Sequence, residues 1–456
     1  MQSSVAVVHP YWDFWEASVD ADLRADRLGL LQRAVAALEP HHEVVLAELV
    51  SSPEEAAGLA GRVRLADALV LVSTMAAPSA TAAALLELVP DLPVVIWALH
   101  GEREFPERFT HSDITTRGAT VGGPMIGSAL ARSGRFFDVA LTHVEAPQPA
   151  IDAVRCAAAA GRVRTSRLLR VGPVMPGYTS VDASDEDLAG LGMTSVTVPP
   201  GEVRERAALV DPERVRRLTA EVHAELDVDA AVSPLALERA VRVEAVLTDL
   251  MDETGTTHGA FNCHIPEIRF GDELGVAPCL ALGRITTAGR PWTCAGDVVT
   301  SVAMLTLKAL GHPCLYHEVE AVDWDRDEVI IANTGEHDLG LCAGRARLVP
   351  DVWYEHDPLV SACAEFTPAA GPASLVGFVL AGGPRWVVAE GSFTGTAAPG
   401  TGTPNAGFRF ATGPVGEAWT RWAKAGVTHH SAATDALVSA DVERVAHHLG
   451  GSMVRV

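Results

Sequence analysis

The residues best suited to chemistry in this sequence are acids and imidazoles gathered late in the chain. Carboxylates and histidines bind divalent ions and move protons. His429 and His430 are adjacent, just before Ser431, where a polar helix is expected to start, and such pairs are uncommon. Glu318 lies in LYHEVE and shares a strand face with Glu320 by the two-residue period of extended chain. It is also followed by Asp323, Asp325 and Asp327, so it reads equally as one more solvated acid on a hairpin. Glu336 follows Gly335 beside His337 and Asp338, which is either a loop cluster or part of a site, with His337 as ligand or base.

Three weaker candidates lie earlier. Tyr11, Trp12, Phe14 and Trp15 follow the first strand, at the carboxyl end where doubly wound folds bind ligands. Sugars stack on such rings, and a packed cap or subunit contact explains the cluster equally. Arg284 in ALGRIT either hydrogen-bonds sugar hydroxyls or pairs with an acid. His264, beside Asn262, either lines a cleft or is structural.

The elements that must position these groups follow from hydrophobic periodicity. SVAVVHP, EVVLAELV, ADALVLVST and PVVIWALH read as strands separated by helical stretches, which implies a parallel sheet covered on both faces. A doubly wound domain is expected over 1–170, a middle α/β domain over 171–320 and a β-rich domain with a terminal helix over 321–456. In the middle domain, CLALGRIT reads as a strand and DVVTSVAMLTLKAL as a helix. Beyond Pro313 two hairpins are expected, turning at WDRD and GGPR. RGATVGGPMIGSALARSGR reads as a glycine-rich turn entering a helix; it matches neither a dinucleotide nor a triphosphate fingerprint.

The chain has 456 residues, 48% hydrophobic and 20% charged, enough for two or three packed domains. A formal charge of −23 argues against nucleic acid and anionic membrane as partners. No apolar run is long enough to span a bilayer, and no signal-peptide pattern opens the sequence. Seven cysteines without a CxxC pair read as reduced thiols, which places the expected compartment in the cytoplasm.

From LGVAPCLALGRITTAGRPWTCAGDVVTSVAMLTLKALGHPCLYHEVE onward the sequence resembles the L-arabinose isomerase/L-fucose isomerase superfamily. VGPVMPGYTSVDASDEDLAGLGMTSVTVPPGEV, EVIIANTGEHDLGL and KAGVTHHSAATDALVSADVERVAHHLG are similar to further family segments in the same order. The resemblance implies Glu318 and Glu336 as metal-binding, proton-shuttling carboxylates and His430 as the metal-binding histidine. His429 would orient substrate or ligand. Such a set leaves sites open on an octahedral ion, Mn²⁺ or alternatively Mg²⁺ or Co²⁺, for two substrate oxygens. The implied architecture is Rossmann-like doubly wound N-terminal and middle domains with a C-terminal β-barrel-like domain, and the implied reaction is aldose–ketose isomerisation through an enediol, in a homo-oligomer (trimer or hexamer). Related alternatives are epimerisation or isomerisation of a modified sugar in a biosynthetic pathway, and sugar binding without catalysis.

The departures are specific. The family's Glu-Gly-Asp turn is Ala295-Gly296-Asp297 here, and its His-Gly-Asp-Arg-Glu stretch is RGATVGGP. Where a further histidine is expected the chain has Cys363, with His356 several residues earlier. These differences favour a three-ligand site of the L-fucose isomerase kind and point away from the standard pentose substrate.

Overall fold

The computed structural model describes residues 2–19, 22–104, 106–264, 278–333, 337–350, 362–398 and 400–456. Two of the residues discussed above, Glu336 and His356, lie outside them. The chain forms two compact units, one of residues 1–162 with 444–450 and one of 163–443 with 451–456. Among the described residues no helix is long and apolar enough to cross a membrane.

The first unit is built on five parallel strands, β1 (Ser3–Pro10), β2 (His42–Val50), β3 (Ala68–Ser73), β4 (Val94–His100) and β5 (Asp138–His143), in the order β2-β1-β3-β4-β5. The strand reversal on either side of β1 is the doubly wound pattern. β3 is buried along its whole length, which explains why its sequence shows an unbroken apolar run and no alternation. Leu31, Ala34 and Leu38 of helix Leu23–Leu38 cover one face, while Ile126 and Leu130 of helix Ala119–Arg132 cover the other.

That second helix corrects the expected glycine-rich turn. Gly122, Gly123 and Pro124 lie inside it. The glycines are there for close approach: a Cβ on Gly122 would stand 2.1 Å from the Met75 carbonyl oxygen and 2.4 Å from Ser73 Oγ. Only a residue without a side chain lets the helix pack so near the end of β3.

The second unit holds a parallel sheet and a barrel. The sheet has the order β10-β9-β6-β7, from β6 (Arg167–Val171), β7 (Thr194–Val198), β9 (His258–Phe261) and β10 (Trp292–Thr293). A three-stranded sheet joins β8 (Asp227–Val228), β13 (Arg347–Pro350) and β14 (Ala362–Glu365), and Cys363 is buried on β14. The expected strand CLALGRIT is helix Cys279–Thr287. Cys279 to Gly283, Ile285 and Thr286 are all buried, so only Arg284 and Thr287 form a polar strip, too narrow to show the helical period in so short a run.

The remaining strands are β11 (Leu315–Asp323), β12 (Glu328–Ala332), β15 (Gly371–Val379), β16 (Arg385–Phe393), β17 (Asn405–Phe410) and β18 (His430–Thr434). They pair antiparallel in the order β15-β18-β11-β12-β17-β16, and β16 returns to β15, which closes a six-stranded barrel. β19 (Ser452–Arg455) runs parallel to β16 outside that ring. The fold is therefore mixed α/β, with Rossmann-like parallel sheets and a closed antiparallel barrel toward the C-terminus. Both expected hairpins are present, β11–β12 and β15–β16.

Candidate functional site

Glu318 and His430 meet because of strand register. On the antiparallel pair β11–β18, Glu318 lies opposite His430 and Tyr316 opposite Ala432. Directly opposed residues share a face and touch, and a residue two positions along the strand is within reach of a long side chain. Glu318 Oε1 is 3.4 Å from His430 Nε2 and 3.8 Å from His429 Nε2. The two imidazoles have ring centroids 3.9 Å apart. One donor atom from each of the three residues fits within 4.8 Å of the others, so this set could hold a divalent cation.

The far side of His430 is fixed. Nδ1 lies 2.9 Å from Asp297 Oδ2 and 2.6 Å from the Tyr316 hydroxyl. Asp297 is fully buried and caps helix Val298–Ala309, its Oδ1 accepting from the Thr300 N–H at 2.7 Å. Both carboxylate oxygens thus have assigned donors. A carboxylate on Nδ1 holds the ring in one tautomer and aims Nε2 at Glu318, the arrangement common behind metal-bound histidines.

Asp297 ends the turn Cys294–Ala295–Gly296, in which Ala295 (φ 54°) and Gly296 (φ 73°) are both left-handed. A non-glycine residue there costs on the order of 1 kcal/mol, so the surroundings hold this turn in place. Gly296 needs its conformation for a second reason: a Cβ would stand 2.9 Å from Val174 Cα. His429 sits half-exposed, edge-on to Tyr178 with centroids 4.8 Å apart.

Electrostatics follow from this geometry. Burial works against charge on His430, yet the hydrogen bonds and charges of Asp297 and Glu318 outweigh it and push the ring up to about 9. Burial also works against charge on Glu318, but His430 and His429 hold its carboxyl below the usual range. Glu320 is the extra residue of a β-bulge: Val319 and Ala321 face the consecutive residues Ile331 and Ile330. Burial first, then the charge of Glu318, raises Glu320 to about 7. Two carboxyl groups in hydrogen-bonding contact share one proton more readily than they carry two charges.

No family model matches the chain, and no curated protein matches it. Among solved structures it is similar to GanP, a glucose-galactose binding protein from Geobacillus stearothermophilus. The two are 13% identical over 68% of this chain and 92% of that one, with a TM-score of 0.16. A likeness at that level bears on neither fold nor function.

The structure gathers Glu318, His429 and His430 and leaves the other described candidates elsewhere. His337 is buried and donates from Nε2 to the Asn333 carbonyl at 2.5 Å, and burial lowers it to about 3. His264 donates its backbone N–H to Asn262 Oδ1 at 3.0 Å and groups with Cys263 and Cys294. Arg284 is held by Glu221, Glu225 and Glu244 at a cavity of 490 Å³, whose lining includes no member of the Glu318 group. Tyr11 is fully buried in the first unit, its hydroxyl donating to Glu16 at 2.8 Å. Trp12, also in the first unit, stacks on Phe14 with centroids 4.6 Å apart.

His430 begins a buried strand, not the approach to a helix at Ser431. Five small or polar residues fit a crowded barrel strand, and the sequence SAAT carries no apolar alternation to announce it. Asp297, Tyr316, Tyr178 and Glu320 complete the surroundings. Tyr316 was accessible from period two, since it precedes Glu318 by two residues on β11.

Replacing Asp297 by Asn keeps the helix cap and side-chain size but removes the charge from Nδ1. The titration of His430, followed by NMR in metal-free protein, is expected to fall by about one to two pH units, the value of a charged hydrogen bond. An unmoved titration would show that Asp297 does not govern the ring.

Proposed function

We propose that this protein is a divalent-cation-dependent aldose–ketose isomerase acting on a sugar or modified sugar. The observation that carries this reading is the cross-strand pairing of Glu318 with His430, His429 alongside and Asp297 behind. One carboxylate and two imidazoles can hold a divalent transition ion, Mn²⁺ in this reading, and leave coordination positions open. Glu318, His429 and His430 would hold it, and the ion would polarise the substrate carbonyl as a Lewis acid. The resemblance of the sequence to L-arabinose and L-fucose isomerases supports the same chemistry, and with it a homo-oligomer, trimer or hexamer.

The chain's own groups supply the rest. Asp297 keeps the His430 ring from turning, so Nε2 stays aimed at the site, where its proton would give way to the ion. Glu318 and Glu320 stand in contact and can pass one proton between them. In isomerisation this pair takes the proton from the carbon next to the carbonyl and returns it to the neighbouring carbon. Tyr178, edge-on to His429, borders the same space and offers a ring face and a hydroxyl to a sugar.

The test is a panel of aldoses and ketoses incubated with the protein and Mn²⁺ in D₂O, read by NMR. Interconversion with deuterium entering at the carbon next to the carbonyl is the expected result. Sugar binding without exchange would replace the enzyme by a binding protein, and absence of both would remove the reading altogether.

A further inference from the structure

Beside the Asp297 turn lies a pair of groups that the proposed reaction does not use. Cys263 follows β9 and Cys294 follows β10, neighbouring parallel strands in which Thr293 stands opposite Ala260. Their sulfurs are 2.6 Å apart, although the residues are separated by 31 positions in sequence. Both are buried, 2% and 6% exposed. Carbon atoms in van der Waals contact rest about 3.5–4 Å apart, and sulfur is larger than carbon. Two thiolates sharing a tetrahedral zinc at about 2.3 Å would be separated by roughly 3.8 Å. The pair is already inside both distances and about half an ångström from bonding distance.

We propose that Cys263 and Cys294 are a modification site, a dithiol that a hydroperoxide converts into an intramolecular disulfide. The Cys263 thiolate attacks one peroxide oxygen, breaking the O–O bond and giving a sulfenic acid, while the departing hydroxide takes up a proton to become water. The Cys294 sulfur, after losing its own proton, attacks the Cys263 sulfur and expels the second oxygen as water. Two thiols and one hydrogen peroxide thus become one disulfide and two waters, the peroxide being reduced and the sulfurs oxidised.

The surroundings assign the order of these steps. Hydrogen bonds from Cys294, His264 and the Ala295 N–H hold the Cys263 thiol well below its ordinary range, against the effect of burial. Cys263 is therefore the attacking sulfur and Cys294 the resolving one. The cross-link joins the ends of β9 and β10 and fixes the first residue of the turn that delivers Asp297 to His430. The site itself stands independently of the isomerase reading.

The experiment uses the full chain, reduced, freed of reductant and treated with hydrogen peroxide in the presence and absence of a metal chelator. After denaturation and alkylation, five of the seven cysteines are expected to be labelled. A non-reduced peptide pair containing Cys263 and Cys294, lighter by two hydrogens than its parts, should appear and vanish with dithiothreitol. In Cys294→Ser the disulfide should be absent and a dimedone adduct should form on Cys263. Seven labelled cysteines after peroxide, or a cross-link between other cysteines, would overturn the proposal. So would a zinc equivalent that protects the pair until chelated, in favour of a metal site.

Discussion

Glu318→Gln is expected to lose bound Mn²⁺ and to lower kcat/KM for whichever sugar the protein turns over by about a thousandfold or more. Gln matches Glu in size, so the contacts of β11 with β12 and β18 persist. What disappears is the charge that faces both imidazoles. His430→Ala should be as severe, because that ring is buried and braced by Asp297 and Tyr316. His429→Ala should cost less, since its ring is half-exposed and its nearest Glu318 oxygen is 3.8 Å away. Equilibrium dialysis against Mn²⁺ beside steady-state assays reads all three. If Glu318→Gln kept a full equivalent of ion and wild-type turnover, the assignment of the site would fail.

The second large effect concerns pH and stability. His9, His42 and His258 are buried, and burial above all lowers them to about 4, about 4 and about 3. In the unfolded chain the same groups titrate near 6.5. Above that value both states are neutral and the groups contribute nothing to the pH dependence. Below it the unfolded chain takes up protons that the folded one refuses, so stability falls with falling pH until about pH 3–4. At about 1.4 kcal/mol for each unit of difference, each group contributes roughly 3 kcal/mol or more to that loss. Against a total stability of about 5–15 kcal/mol, both units are expected to unfold in mild acid. Calorimetry from pH 7 to 4, with chelator present, should show Tm dropping steeply below pH 6. His258→Gln should flatten the dependence in the second unit, and a level Tm in the wild type would contradict the account.

Much of the fold was legible from period alone. The first four strands of the first unit and the two C-terminal hairpins announce themselves by apolar runs and turn residues, whereas β5 (DVALTH) carries no such run and is not expected from the sequence. The failures occur where burial is uniform or side chains are minimal. In Cys279–Thr287 only Arg284 and Thr287 escape burial, so a short apolar run reads as a strand, while Gly122 and Gly123 signal tight packing inside a helix where they resemble a turn. Half the site was legible in the same sense. Glu318 and His430 could be nominated by residue type and family resemblance, but their meeting depends on a strand register that no local pattern encodes. Asp297 was hidden behind its role as a helix cap, and the Cys263–Cys294 pair behind its sequence separation.

The closed barrel has a consequence for how the protein comes to its working form. β11 and β18 are separated by about a hundred residues of chain, and their seam is among the contacts that close the ring. Contacts between such distant segments form late, after the loop entropy between them has been overcome. Glu318 and His430 sit on opposite sides of that seam. A nascent chain can therefore complete its hairpins before the two groups face each other. The capacity to bind a cation would mature with the last step of folding, so a half-formed barrel would carry the residues without the site.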